Sequence, residues 1–276
     1  MKHILLPTDF SDNAWSATVY ALRLYALENC TFYFLNSSTI KVSVMSSMSN
    51  KLIQIMADNA RKELAELKKM AENTSANVNY KFEIIFSTED IQGAIETAVT
   101  KHKIDLVIMG TKGSSKAKGV FFGSNTIHII KKMKLCPILI VPDEFDFEKP
   151  KQIAFPTDFN RDFGKELVPL KRLAELYNSN IKIVHINEEN NLTEEQGYNL
   201  TKLKDDLEDY TLSFHWMPDY DNKEQVIKDF IEELNINILV MINYNHSFIE
   251  SIVNEPVIKN IGFQPTVPFL VIPCLS

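Results

Sequence analysis

Cysteine is scarce in this chain. Its three cysteines, Cys30, Cys136 and Cys274, lie far apart and are odd in number. Neither a CxxC pair nor a Cys/His ligand spacing occurs, so no zinc site and no disulfide framework is indicated, and a reducing cytoplasm is the simplest setting. Long apolar runs are also missing. No segment approaches the ~20 consecutive apolar residues of a membrane helix, and the opening Met1-Lys2-His3-Ile4-Leu5-Leu6-Pro7 is too short an apolar run for a signal peptide. There is no Lys/Arg cluster, and the net charge is −7. That balance argues against non-specific nucleic-acid binding, which rests on phosphate neutralisation. It leaves room for one small anionic ligand held in a local site. Gly-x-Ser-x-Gly, HExxH and Cys/His nucleophile signals are absent. The six histidines, His3, His102, His128, His185, His215 and His246, show no ligand spacing.

What the chain has is length and internal repetition. Its 276 residues, 45% apolar and 24% charged, suit two globular domains. His3-Ile4-Leu5-Leu6-Pro7-Thr8-Asp9-Phe10-Ser11 matches Gln152-Ile153-Ala154-Phe155-Pro156-Thr157-Asp158-Phe159-Asn160. Cys136-Pro137-Ile138-Leu139-Ile140-Val141-Pro142 parallels Val267-Pro268-Phe269-Leu270-Val271-Ile272-Pro273. Each half thus begins and ends on a strand signal, which marks duplication of a whole domain rather than a short solenoid repeat. The expected division is 1–142, a charged linker at 143–150 containing Pro150, and 151–276.

Within the first half, strand and helix signals alternate. Ile4–Leu6, Thr31–Leu35, Lys81–Phe86, Leu106–Met109 and Ile138–Val141 read as strands. Helices are expected after Ser11 and Asp12, over Asn50–Glu72 with Leu52, Ile55, Met56, Leu64, Leu67 and Met70 near one face, after Asp90, and over Ser124–Met133. The alternation predicts an α/β fold, a mostly parallel sheet with helices on both faces. Continuous apolar strands fit a sheet covered on both sides. Ligands of such sheets bind beyond the carboxyl ends of strands, where strand order reverses. Asp9 and Gly110 both fall at that edge.

Between the fourth strand, ending at Met109, and the last helix lies Gly110-x2-Gly113-x9-Gly123-Ser124-Asn125. A phosphate needs inward-pointing N–H donors and no Cβ in the way, which glycine provides. Gly123-Ser124-Asn125 stands where a helix should start, and free N–H groups with the positive end of the helix dipole suit an anion there. The Ser124 hydroxyl can donate to a phosphate or cap the helix. Lys112, Lys116 and Lys118 add local positive charge. The alternative is a plain surface loop, since short Gly/Ser/Lys stretches after strands are common.

The loop spacing, the strand before it, the Cys-Pro-Ile-Leu-Ile-Val-Pro run after it and the Pro7-Thr8-Asp9-Phe10-Ser11 opening resemble the universal stress protein family. The resemblance spans residues 1–142 in order and 151–273 more weakly, so the chain is similar to a tandem, two-domain member. It implies two Rossmann-like (adenine nucleotide α-hydrolase-like) domains, each a five-stranded mostly parallel sheet in the order 3-2-1-4-5. It also implies ATP as ligand, with Gly110, Gly113, Gly123, Ser124 and Asn125 at phosphate and ribose beside Met109, and Thr8 and Asp9 against the nucleoside. The backbone near Asn36 or Ser37 would meet adenine, although Asn36-Ser37-Ser38 departs from the family's usual run. Asp9 keeps a second reading as a helix-entry cap. Any Mg²⁺ would ride on the phosphates.

In the second half, Leu239-Val240-Met241-Ile242-Asn243-Tyr244-Asn245 continues through Pro256 with no glycine at the motif positions, and Glu255 or a neighbour stands where Gly123-Ser124 would be. A carboxylate there repels phosphate, so one nucleotide per chain is expected and Asp158 reads as structural. The resemblance further implies pairing of the halves through their last strands as an intramolecular pseudo-dimer, with a homodimer as a further assembly. No general base stands out, so hydrolysis is expected to be slow or absent. Two functions follow: a cytoplasmic ATP-binding stress or regulatory protein, or a nucleotide-free protein-interaction module of the same fold. An ATP pyrophosphatase-type enzyme would need a Ser-Gly-Gly-type loop after the first strand, where Pro7-Thr8-Asp9 stands instead.

Overall fold

A computed structural model describes residues 1–38, 50–75, 77–111, 123–143, 145–186, 192–217, 223–244 and 266–275. The chain divides into two units, Met1–Phe147 and Glu148–Ser276. In the first, the order is β1 (Lys2–Pro7), α1 (Asp12–Leu24), β2 (Cys30–Ser37), α2 (Asn50–Thr74), β3 (Tyr80–Ser87), α3 (Ile91–His102), β4 (Leu106–Gly110), α4 (Ser124–Lys132) and β5 (Ile138–Val141). Every pairing is parallel and the sheet runs β3-β2-β1-β4-β5. This is the expected α/β architecture and strand order.

The strands form where apolar residues run without a break. Ile4, Leu5 and Leu6 are all buried, as are Phe32, Phe34 and Leu35. Successive side chains point to opposite faces, so burial of consecutive residues means that helices cover both. Between β2 and β3, Phe82 stacks on Phe32 and Phe34 with ring centroids 5.7 and 6.1 Å apart. Burying each such ring stabilises the fold by roughly 1.5–3 kcal/mol.

Helix starts follow the capping rules. The Ser11 hydroxyl accepts from the Ala14 amide at 3.3 Å, and the Asp90 carboxylate accepts from the Gly93 amide at 2.8 Å. Helix α2 departs from the expected stripe. Leu64, Leu67 and Ala71 are buried, whereas Ile55, Met56 and Met70 are 40–49% exposed. The spacing 64, 67, 71 puts the small Ala71 against the sheet and turns Met70 outward.

The second unit repeats the plan: β6 (Gln152–Pro156), a 3₁₀ turn (Gly164–Leu167), α5 (Val168–Glu175), β7 (Asn180–Ile186), α6 (Glu194–Asp206), β8 (Leu212–Met217), α7 (Lys223–Glu233), β9 (Ile238–Asn243) and β10 (Phe269–Pro273). Its strands are again all parallel, in the order β8-β7-β6-β9-β10. Helix α6 begins with a full capping box, the Thr193 hydroxyl accepting from the Gln196 amide and the Gln196 side chain accepting from the Thr193 amide. At the end of the first unit, Phe145 and Phe147 pack edge-on against Tyr20 in α1, at 5.9 and 5.4 Å.

Candidate functional site

In the first sheet the chain adds strands outward from β1 to β3, then returns to place β4 on the other side of β1. The carboxyl ends of β1 and β4 therefore flank the point where strand order reverses. The register Leu5↔Val107 brings Thr8 and Gly110, each three residues further on, to the same edge.

The turn after β1 is held by short-range bonds. The Thr8 amide continues the ladder to the Leu35 carbonyl at 2.8 Å. Its hydroxyl accepts from the Phe10 amide at 3.0 Å, and the Asp9 carboxylate accepts from the Ser11 amide at 3.2 Å. Phe10 is thereby kept at φ 63°, a left-handed conformation costly for an aromatic residue. Ser11 is the helix cap, so Asp9 supports the entry to α1 without capping it. Thr8 is buried and Asp9 exposed at the edge. Asn36, at the end of β2, donates to the Thr8 carbonyl at 2.9 Å. Ser37 donates to the Glu89 carbonyl at 2.6 Å, which commits its hydroxyl, and its backbone is in register with Ser87 of β3.

Met109 and Gly110 are buried in β4. The reason for glycine at 110 is packing. A Cβ there would overlap the Asn13 side-chain amide and lie 3.0 Å from the Asn13 carbonyl oxygen, so Gly110 lets α1 lie directly on β4. Gly123 is different. Its φ −62° and ψ 152° suit any residue, and as N-cap it supplies no side-chain bond to α4. The Gly123 amide donates to the Thr111 carbonyl at 2.7 Å, and the buried Thr126 hydroxyl lies 3.3 Å from both the Gly110 and Thr111 carbonyls. The two ends of the loop are thus tied together at its base. Ser124 and Asn125 are exposed first-turn residues, so Ser124 is not the cap. No acidic side chain stands in that turn to offset the positive end of the helix dipole. Gly113, Lys112, Lys116, Lys118 and Phe121-Phe122 lie outside the described residues, as does Ser43–Ser49. Asn13 and Thr126 were not singled out by sequence reasoning, and Asn36 was named only for its backbone. Their signal is only that polar residues occur at a helix start, a strand end and the third position of a helix.

A profile of the universal stress protein family matches residues 1–142, more than half of the chain. The chain belongs to the universal stress protein family. It is 28% identical over 159 residues to a curated universal stress protein of Methanocaldococcus jannaschii, covering 55% of this chain and 84% of that one. In fold it is similar to the crystal structure of a universal stress protein from Archaeoglobus fulgidus, with a TM-score of 0.74, 19% identity and 98% of each chain covered.

At the corresponding edge of the second unit, this universal stress protein keeps the turn after the first strand. The Thr157 amide bonds the Val184 carbonyl at 2.9 Å, its hydroxyl accepts from the Phe159 amide at 3.1 Å, Asp158 accepts from the Asn160 amide at 3.0 Å, and Phe159 has φ 55°. Position 185 is a histidine whose Nδ1 lies 2.8 Å from the Thr157 carbonyl. The registers Ile4↔Leu106 and Ile153↔Ile238 make Ile242 the counterpart of Gly110. Room for it exists because the first helix, α5, starts at Val168, twelve residues after Pro156, whereas α1 starts five after Pro7.

Side chains fill the vacated edge. The Tyr244 hydroxyl donates to Asp158 at 2.7 Å. Burial and the Asp158 charge push the Tyr244 pKa well above its usual value. The Arg161 guanidinium lies over the Tyr244 and Phe163 rings at 5.2 and 5.7 Å and pairs with buried Glu166 at 2.8 Å. Asp158 is thus bonded by both the Asn160 amide and the Tyr244 hydroxyl. Glu255 and Asn245 lie outside the described residues. Among the described residues, no His, Cys, Asp and Glu group has a metal-holding arrangement, and no helix is long and apolar enough to cross a membrane. Burial pushes the Cys30 and Cys136 thiols up to about 12, so both behave as small apolar core residues.

Proposed function

We propose that the first unit binds one adenine nucleotide, ATP foremost, at the carboxyl edge of β1 and β4, and that the protein serves a regulatory, stress-related role in the cytoplasm. The observation that carries this is the start of α4. Neither backbone angle nor capping calls for glycine at Gly123, the adjoining Ser124 and Asn125 are exposed, and that turn is free of acidic residues. Close approach of an anion to backbone amides is a function that a glycine there does serve. In this reading Gly110, Gly113, Gly123, Ser124 and Asn125 surround phosphate and ribose beside Met109. Thr8, Asp9 and the backbone at Ser37 flank the nucleoside. Mg²⁺ would accompany the phosphates, and hydrolysis is slow or absent.

Calorimetric titration of the full chain with ATP is expected to give one site per chain. No heat of binding at millimolar ATP, together with no nucleotide in the mass spectrum of the purified protein, would falsify the reading. The nucleotide-free interaction module is supported for the second unit by Ile242 and the Tyr244–Asp158 bond, which close its edge. The same reading has the halves pair as an intramolecular pseudo-dimer, and sedimentation tests for a homodimer beyond that.

A further inference from the structure

We propose that Asn36 is the positioning residue of the first unit's site, and that histidine can replace it because the position's task is one hydrogen bond. The inference rests on the nucleotide reading above. Asn36 and His185 occupy the same place, one residue beyond the Pro7↔Leu35 and Pro156↔Val184 pairs. Each reaches across to the carbonyl of the threonine in a Pro-Thr-Asp-Phe turn, at 2.9 Å for Asn36 Nδ2 and 2.8 Å for His185 Nδ1. A carbonyl oxygen only accepts, so His185 carries its proton on Nδ1 and presents it as Asn36 presents its amide hydrogen.

Both threonines are buried, Thr8 at 7% and Thr157 at 9% exposure. A buried carbonyl without a donor bears its full desolvation cost. The peptide carrying the Thr8 carbonyl is the one that leads into Asp9, so holding that oxygen fixes where Asp9 and the left-handed Phe10 stand. The surrounding turn is the same in both units: amide ladder, hydroxyl bond, carboxylate bond and positive φ. Two different side chains have thus been fitted to one geometry. The donor is what they share.

The test compares the full-length wild type with Asn36→Leu, which keeps the size and removes the donor, and Asn36→His, which imports the donor of the second unit. Two readouts are taken at a temperature where circular dichroism shows each variant folded. Without nucleotide, hydrogen exchange at the Phe10 and Ser11 amides is expected to quicken in Asn36→Leu and to stay protected in Asn36→His. With ATP, Asn36→Leu is expected to weaken binding about tenfold, the equivalent of losing one net hydrogen bond's worth of preorganisation, and Asn36→His to bind within about threefold of wild type. Unchanged exchange and affinity in Asn36→Leu overturn the proposal, as does an Asn36→His protein that behaves like Asn36→Leu. If wild type binds no ATP while the exchange pattern holds, the nucleotide reading fails and the positioning of the turn stands.

Discussion

Gly110→Ala tests whether helix packing, rather than phosphate alone, fixes the first glycine of the loop. The added Cβ would overlap the Asn13 amide and approach its carbonyl oxygen to 3.0 Å. Asn13 is 3% exposed and stands in the first turn of α1, so its backbone cannot retreat without dragging the helix off β4. Overpacking of this kind costs about 1–3 kcal/mol, a large part of the roughly 5–15 kcal/mol that holds a domain together. The chain has two tryptophans, Trp15 in α1 and Trp216 in β8. In a full-length Trp216→Phe background, Trp15 fluorescence reports the first unit alone. With a urea slope of about 1–3 kcal/mol/M, a loss of ~2 kcal/mol lowers the midpoint by about 1 M. An unchanged midpoint in Gly110→Ala would show that α1 yields freely and would refute the packing argument.

Gly123→Ser should do the opposite: serine is a better cap, so thermal stability holds or rises by a few tenths of a kcal/mol, while calorimetry shows ATP affinity falling about tenfold as a Cβ meets the ligand. Tyr244→Phe removes a bond to the Asp158 carboxylate and should destabilise the second unit by about 1.5–3 kcal/mol, read by Trp216 fluorescence in a Trp15→Phe background, with ATP affinity unaltered. His102 has its pKa lowered by burial first, then by Lys101 and His3, against an opposing pull from Glu83. Above its ordinary value of 6.5 the imidazole is neutral in both states. As pH falls through 6.5 the unfolded chain takes up the proton before the folded one, so first-unit stability declines until the folded-state value is passed. A His102→Gln variant should show a shallower decline in urea midpoint between pH 7 and 5 (about neutral to mildly acidic, the window set by the imidazole's usual titration range), and an identical slope would count against it.

The strands were legible because buried parallel strands are written as unbroken apolar runs. Ile138–Val141 was bounded to the residue, and Thr31–Leu35 grew only to Cys30–Ser37. The duplication was legible as well, down to the Pro-Thr-Asp-Phe turns that share one conformation. What stayed hidden was contact between distant positions. Nothing in Ser11-Asp12-Asn13 says that Asn13 will rest on Gly110, 97 residues away. Nor does the run Asn36-Ser37-Ser38 reveal that Asn36 repeats the bond of His185. In α2 the expected apolar face took in Met70 and passed over Ala71, whereas Ala71 is buried and Met70 turned outward.

The two described glycines of the motif, Gly110 and Gly123, therefore weigh differently as evidence for a nucleotide. Gly110 is accounted for by the close seat of α1, and a chain with no ligand at all would need it for that reason. The second unit makes the point from the other side. There the counterpart is Ile242, and the helix that would have collided with it begins seven residues later relative to its strand, behind a 3₁₀ turn. The later helix start removes the neighbour that makes a side chain costly at this position, so the larger Ile242 can stand there. Gly123 has no such structural account in its backbone angles or in its cap. A glycine pattern at the end of a strand speaks to a phosphate site mainly through the residue that begins the next helix, and in this chain that residue is Gly123.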